Sequence, residues 1–261
     1  MIPFFQWTQF SIGPVPIRAW GLMVALGILV GLYIAYKEAG RRRLKQPVII
    51  DLAFWVILFS LIGCRVFYVL TEFQYFLTAW QDIFKVWEGG YSISGGFIGA
   101  GLAAWIFLKK RRLSFLDYVD TCIFGLPIGL FIGRLGCFFV FDHPGKPTDF
   151  FLGQEYLDGI VRHNHGLYLS LNGLLLAVLF FLLRSLNPRH RSGFYIILFL
   201  LWSGISRFFL DFYRATDLAH IDARIFSLTF AQYTSIAMVA IGAILWYCLY
   251  RKSNTKHYAK S

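Results

Sequence analysis

Three arginines lie inside long apolar segments: Arg65 in LIGCRVFYVL, Arg134 in LFIGRLGCFF and Arg207 in WSGISRFFLDFYR. A charge in hydrocarbon costs at least ~2.5–3.5 kcal/mol on insertion scales, so it persists where something pairs with it or needs it. Three cations at one depth describe a site for an anion, and in a bilayer the nearest anion is a phospholipid headgroup. Arginine suits that task because its planar fork binds two phosphate oxygens at once. Arg207, Asp211 and Arg214 fall at i, i+4 and i+7, on one helical face. Two arginines on one carboxylate leave cationic capacity for a ligand.

Other residues offer chemistry around this cluster. His143, His163 and His165 share one polar stretch, FDHPGKPTDFFLGQEYLDGIVRHNH, and one of them can act as a general base because imidazole titrates near neutral pH. Their spacing does not read as a metal site, and no metal is expected. Cys64, Cys122, Cys137 and Cys248 all lie in apolar segments without a CxxC, so they read as small packing residues. The stretch GGYSISGGFIGAG opens a helix with paired glycines, Gly95 and Gly96, whose N–H groups can approach an anion. The competing reading is helix packing through Gly95 and Gly99. No GK[ST] follows, so this is not a nucleotide loop. Gly125, Gly129 and Gly133 recur every four residues, a smooth face for another helix or an acyl chain, with Arg134 and Gly136 at its end.

The elements that carry these residues are membrane helices. Apolar residues make up 57% of the chain and charged residues 15%, well outside the range of soluble domains. Apolar stretches at roughly 17–37, 48–71, 93–109, 116–141, 166–186, 193–213 and 229–250 are each near the ~20 residues needed to span a bilayer. The expectation is an all-α integral membrane bundle of about seven helices, one transmembrane domain over 1–261, with outer loops 72–92 and 142–165 covering the site. The second loop is too long for a plain connector. Asp120 lies about 21 Å before Arg134 along its helix, too far to pair with it.

The net charge of +11 is not a nucleic-acid signal, because the basic residues fall in alternate loops. Lys37 to Lys45, Lys109 to Arg112, Arg184 to Arg191 and the C-terminal tail form one set, while the intervening loops carry few. The positive-inside rule then puts the N-terminus outside and the C-terminus in the cytoplasm. Arg65, Arg134 and Arg207 fall toward the outer ends of their helices. No basic segment precedes the first apolar run, so no cleaved signal peptide is expected.

With these residues in view, the chain resembles the prolipoprotein diacylglyceryl transferase family over most of its length. GCRVFYV is similar to the arginine-containing second-helix motif and GGYSISGGFIG to the glycine-rich third-segment motif. GRLGCFFVFDHPGKPT resembles the GRxGN signature with its acidic residue and WGxPT-like end, so Arg134, Asp142 and Gly145 match functional positions. Asp120 matches an acidic position upstream. SRFFLDFYRATD is similar to RFxxEFFRxPD, which maps Arg207 onto a second essential arginine and Asp211 onto the glutamate. The chain departs from the pattern at Trp20 (tyrosine), Ser94 (histidine) and Cys137 (asparagine). HPTQLYE becomes His163, Asn164, His165, Gly166, Leu167, Tyr168, Leu169.

The resemblance implies transfer of diacylglyceryl from phosphatidylglycerol to the lipobox cysteine of a prolipoprotein signal peptide, in the bacterial cytoplasmic (inner) membrane. It implies Arg134 and Arg207 as the catalytic, phosphate-contacting pair; with Ser94 in place of the family's histidine, His163 is taken as the catalytic base for the thiol. Arg65, Ser94, Gly95, Gly96, Gly136, Asp142, Gly145, Tyr168 and Asp211 join Arg134 in binding substrate. No cofactor and no nucleic-acid partner are implied; the partners are membrane lipid and the prolipoprotein. The other readings are a divergent paralogue with another lipid or acceptor, and a non-enzymatic lipid-binding or transport protein. A transporter would place its charges near the midplane and show internal repeats.

Overall fold

The structure is a computed structural model that describes residues 1–258 apart from 14, 86–88, 189 and 219–223, with only the backbone described at 12, 15, 93, 94 and 250–258. Its long helices are α1 (Ala19–Arg41), α2 (Gln46–Thr71), α4 (Ile93–Lys110), α5 (Phe115–Val140), α6 (His165–Leu186), α7 (Phe194–Leu210) and α8 (Phe230–Tyr258). A short α3 (Phe73–Thr78) and a 3-10 turn (Trp80–Phe84) lie between α2 and α4. Six helices are long and apolar enough to cross a membrane among the described residues; α4, with 18 residues, is the shortest of the seven segments expected to span except for α7. A 3-10 turn over Asp211–Tyr213 extends α7.

Short strands add to the helices. β1 (Gln9–Ile12) and β2 (Val15–Arg18) pair antiparallel before α1. β3 (Pro144–Pro147), β4 (Gln154–Glu155) and β5 (Val161–Asn164) form a sheet in the order β3-β5-β4, which is what the long polar stretch between α5 and α6 builds. β6 (Arg224–Ile225) and β7 (Leu228–Thr229) make a small hairpin before α8.

The chain divides into two compact units, Tyr36–Val119 and Met1–Ala35 with Asp120–Ser261. In the first, α2 meets α4 backbone to backbone. A Cβ added at Gly95 would lie 2.1 Å from the Gly63 carbonyl oxygen, and one at Gly99 would lie 2.1 Å from that of Phe59. Only glycine permits that approach. Pro47 stands in the first turn of α2, where its missing N–H costs nothing. Glu38 is buried and holds both Arg41 and Arg42, at 3.2 and 3.1 Å.

In the second unit the glycine stripe of α5 is covered by α1. A Cβ at Gly125 would come 2.1 Å from the Gly31 carbonyl oxygen, and one at Gly27 would come 2.5 Å from that of Gly129. The stripe therefore receives a helix at this point. Gly173 of α6 also sits close to α5, at 2.9 Å from the Phe131 nitrogen by the same measure. Phe124, Leu176, Phe180 and Tyr195 form the buried core between α5, α6 and α7. Asp120, fully buried, accepts a hydrogen bond from the Ile196 backbone N–H at 2.9 Å. It thus caps the N-terminus of α7, where a carboxylate complements the helix dipole.

Candidate functional site

The C-terminal end of α7 gathers two guanidiniums and an imidazole around one carboxylate oxygen. Asp211 is fully buried, and its Oδ1 lies 3.6 Å from Arg207, 3.8 Å from Arg214 and 3.8 Å from His165. Its Oδ2 accepts a short hydrogen bond from the Thr229 hydroxyl. Thr229 is itself fixed by reciprocal bonds with Gln232 at the start of α8. Arg207 and Asp211 meet through i, i+4 spacing at the end of α7, but Arg214 lies beyond the helix, in extended backbone after the 3-10 turn, so its approach to Asp211 comes from that turn and not from the continuous helical face expected from the sequence. Oδ1 and both ring nitrogens of His165 have no hydrogen-bond partner among the described residues, so the two guanidiniums meet Oδ1 electrostatically, at ion-pair distance, beside a neutral imidazole.

Arg134 stands near the end of α5, with Nη1 3.8 Å from the Cys137 sulfur. Arg134, Arg207 and Arg214 are charged neighbours of His165, the first residue of α6, and His143 is also close to it. Arg134, Arg214 and Asp142 are likewise the neighbours of His143. Arg134 and Arg207 therefore belong to one electropositive cluster. Burial holds the His143 imidazole below the usual histidine range. Asp142 opposes this, and the two guanidiniums add to it.

His163, at the end of β5, shares a 2.6 Å hydrogen bond between its Nδ1 and the Tyr168 hydroxyl. The Tyr213 ring stands edge-on to it, 5.0 Å between centroids. Burial lowers its pKa, so it is neutral near pH 7. Asn164 caps α6, its side chain accepting from the Leu167 N–H at 3.1 Å, and so fixes the turn between His163 and Tyr168.

The expected glycines do their visible work through close approach. A Cβ at Gly145 would lie 2.6 Å from the Tyr213 carbonyl oxygen and 2.6 Å from the His163 Cβ. Gly145 also bridges Arg214 across the backbone. Gly136 lies against α1, with a Cβ there 3.0 Å from that of Met23. Gly96 faces the Cys64 sulfur at 2.6 Å by the same measure. Gly166, where the family motif has glutamine, has no room for a side chain: its Cβ would lie 2.7 Å from the Phe138 nitrogen. The Ser94 side chain lies outside the described residues.

Arg65 belongs to the unit of α2 and α4. Its guanidinium donates to the carbonyls of Ile83, Gly89, Gly90, Asp82 and Lys85, at 2.5 to 3.4 Å. It stands over the Tyr68 and Phe76 rings at 5.6 and 5.7 Å. Gly89 and Gly90, both in left-handed backbone, let the loop turn its carbonyls inward. Arg65 organises this loop. Elsewhere in the same unit a groove of about 710 Å³ runs along α2 and α4, lined by apolar side chains, with Lys110 and Arg111 at one end.

Sequence reasoning missed two groupings. Arg162 is buried and carries two carboxylates. It holds Asp217 by a fork of 3.0 and 2.8 Å, Asp158 at 3.1 and 2.8 Å, and the Gly145 carbonyl at 3.3 Å. The guanidinium pulls both carboxyl groups below their ordinary range. This ties β5 to the segment after Arg214. The adjacent HNH stretch drew attention away from Arg162, and its partners lie 4 and 55 residues away. The other grouping is Cys137, Asp142 and His143, whose sulfur, oxygen and nitrogen atoms lie within 4.8 Å of one another.

Comparison with known proteins agrees with the motifs. The family described as prolipoprotein diacylglyceryl transferase matches residues 8–248. The chain is 32% identical to the phosphatidylglycerol–prolipoprotein diacylglyceryl transferase of Bacillus velezensis over 247 residues, covering 90% of this chain and 89% of that protein. It is 32% identical to that of Geobacillus kaustophilus over 246 residues, again covering 90% and 89%. The like-named protein of Listeria welshimeri is 30% identical over 261 residues, covering 95% and 91%.

Proposed function

The chain belongs to the prolipoprotein diacylglyceryl transferase family, and from that premise we propose how its arginine cluster and its histidine carry out the transfer. It is a multi-pass membrane transferase that moves a diacylglyceryl group from phosphatidylglycerol to a prolipoprotein, the first step of lipoprotein maturation. The match over residues 8–248 carries this reading.

The acceptor is the thiol of the lipobox cysteine in the signal peptide. Arg134 and Arg207 grip the phosphate of the donor lipid. The thiolate attacks the glyceryl carbon, the carbon–oxygen bond to phosphate breaks, and glycerol phosphate leaves with the electron pair. Charge develops on the phosphate oxygens in a low-dielectric setting, where preorganised guanidiniums act far more strongly than in water. Asp211 aims Arg207 by ion-pair contact at 3.6 Å. His163 takes the thiol proton on Nε2, oriented by the bond between its Nδ1–H and Tyr168. Asp142 borders the substrates. Gly95, Gly96, Gly136 and Gly145 act by letting backbones close up, and Arg65 by holding the carbonyls of Asp82, Ile83, Lys85, Gly89 and Gly90.

The enzyme sits in the bacterial cytoplasmic membrane with seven spans, α4 included, its N-terminus outside and the site facing the outer leaflet. The alternation of basic loops supports this orientation. Labelling of a cysteine placed beside Arg111 from outside intact cells would reject it. The function is tested by expressing the chain in cells depleted of their own transferase. Restored prolipoprotein processing is the expected result, and its absence at matched protein level counts against the reading.

A further inference from the structure

Oδ1 of Asp211 has three donors around it and is hydrogen-bonded to none of them. Nη2 of Arg207 lies 3.6 Å away, Nη1 of Arg214 3.8 Å and Nε2 of His165 3.8 Å. Oδ1 and both ring nitrogens of His165 are buried without a hydrogen-bond partner among the described residues. A buried carboxylate oxygen that lost its partners would carry the full desolvation penalty, so this arrangement calls for an explanation. We propose that His165 is a positioning residue for the transfer: its Nε2–H takes over Oδ1 of Asp211 when the donor phosphate draws Arg207 and Arg214 toward itself. The proposal rests on the transferase reading above and adds the group that releases the two arginines from their carboxylate.

Acceptor capacity explains why one of the three donors is a reserve. A single carboxylate oxygen has about two acceptor sites, so it cannot bond three donors at once. Oδ2 accepts from the Thr229 hydroxyl, and Thr229 is held by Gln232, so the carboxylate is not free to turn after a moving guanidinium. Arg207 and Arg214 keep 24% and 16% of their side-chain surface exposed, so each has a side that a ligand can reach. His165 is fully buried. The arginines are therefore the donors that can leave, and the imidazole is the one that stays.

The backbone under the imidazole is held from several sides. The His165 N–H donates to the His143 carbonyl at 3.3 Å, and the Asn164 amide donates to Gln154 Oε1 at 2.7 Å. Gly166 is pressed onto α5, where a Cβ would lie 2.7 Å from the Phe138 nitrogen. Closing the 3.8 Å gap to an ordinary hydrogen bond of about 2.9 Å takes a movement of about 1 Å, which a small side-chain rotation supplies. The tautomer required carries its proton on Nε2, and that proton stays there throughout. Arg134, the remaining guanidinium near the ring, has no acceptor and cannot compete for it.

Two departures from the family motifs fit this exchange. HPTQLYE has threonine where His165 stands, and RFxxEFFRxPD has glutamate where Asp211 stands. The carboxylate is one methylene shorter here, and the side chain opposite it is longer, so a donor from α6 meets an acceptor at the end of α7. His165 is not a second base for the thiol, because it is fully enclosed while His163 is only part-buried. Charge on the phosphate oxygens grows as the carbon–oxygen bond breaks, and the guanidiniums are drawn most strongly then. That is the moment at which Oδ1 needs another donor, so the effect of His165 falls on the chemical step.

Conversion of a prolipoprotein peptide in phosphatidylcholine discs with graded phosphatidylglycerol provides the test. His165→Phe fills the space and offers no donor. It should lower kcat roughly 10- to 100-fold, as expected for a lost hydrogen bond to a charged group, with KM for phosphatidylglycerol changed less than about threefold. His165→Gln restores a donor and should stay within about fivefold of the unsubstituted chain. In an Asp211→Asn background, where the acceptor is neutral, His165→Phe should lower kcat by only about fivefold or less. Full kcat in His165→Phe, equal losses in the Phe and Gln variants, a rise in KM alone, or a loss that Asp211→Asn leaves unchanged overturns the proposal while the transferase reading stands. Should His165→Phe fail to fold, the unsubstituted chain decides. With isotope-labelled histidine, in the same discs and without peptide, one imidazole N–H proton signal should move downfield when phosphatidylglycerol is present, and His165→Gln should lack that signal. The absence of this shift overturns the proposal. The shift in protein that converts no peptide counts against the transferase reading alone.

Discussion

Replacing Asp211 with asparagine removes one charge from the centre of the site and almost nothing from its shape. The asparagine oxygen can still accept from Thr229, so the junction of α7 and α8 should persist. What changes is the hold on Arg207 and Arg214, 3.6 and 3.8 Å from Oδ1. Each such pair is worth about 4 kcal/mol of attraction at an effective dielectric of ~20. Most of that is offset by the cost of burying the carboxylate, several kcal/mol for a fully desolvated ion. The net value of the carboxylate is thus directional: it fixes where two guanidiniums point. Breaking a buried pair costs about 3–5 kcal/mol when the remaining charge is also buried. Here Arg207 and Arg214 keep 24% and 16% of their side-chain surface exposed and regain water. A loss of about 2–3 kcal/mol in the transition state is therefore expected, or roughly 30- to 160-fold in kcat.

Ground-state binding should move the other way or not at all. The variant site carries one more net positive charge, so KM for phosphatidylglycerol should not rise. The assay is conversion of a prolipoprotein peptide in vesicles of varied phosphatidylglycerol content, at matched protein level. A KM increase with unchanged kcat would show that Asp211 serves lipid binding rather than arginine positioning, and the reasoning would fail. Unchanged kcat and KM would show that Arg207 needs no anchor.

Arg134→Lys keeps the charge but not the fork, and is expected to lose about 2.7–4 kcal/mol of transition-state stabilisation, or roughly 100- to 1000-fold in the same assay; full activity would mean that charge alone suffices. Gly95→Ala sets a Cβ 2.1 Å from the Gly63 carbonyl oxygen and should cost about 1–3 kcal/mol in thermal stability measured in detergent. Gly101→Ala, with nothing within 4 Å, should not destabilise, and equal losses in the two would reject backbone contact between α2 and α4. The Arg162 network should respond to acid in one direction. Asp158 and Asp217 have depressed pKa values when folded, so their contribution is full above the unfolded value of 3.8 and is lost as pH falls below it. Protease protection of the 158–217 segment should be flat from neutral pH to about pH 5 and fall below about pH 4; loss already at pH 6 would contradict this.

How far these features could be read from the chain depends on how local their causes are. Apolar periodicity is local, and the expected spans lie within a few residues of the observed helices, apart from the continuation of α8 to Tyr258. The pairing of Arg207 with Asp211 is also local, since i, i+4 spacing creates it, whereas Arg214 reaches the same carboxylate through a 3-10 turn that ends the helix. The glycine stripe of α5 was legible as a contact face, but not that α1 covers it through Gly27 and Gly31. Arg65 shows where this reasoning stops. A cation in an apolar helix reads the same whether it meets a lipid phosphate or a set of carbonyls. Which one it meets depends on a loop 17 to 25 residues away folding back over it.

The gathering of Cys137, Asp142 and His143 was hidden for a sharper reason. It requires the chain to turn back at the end of α5, and Phe141 makes that turn in left-handed backbone at φ 49°. Sequence rules look for glycine or asparagine at such a turn. A phenylalanine pays a steric penalty there that must be offset from elsewhere. The offset is tertiary: Phe141 is buried, its ring stands edge-on to Tyr156 at 4.9 Å, and its N–H donates to the Cys137 carbonyl at 2.9 Å. Tyr156 lies in the loop between β4 and β5, so the β3–β5 region determines how α5 ends. The loop that looked like a lid over the site therefore also sets the backbone that brings its sulfur, carboxylate and imidazole together.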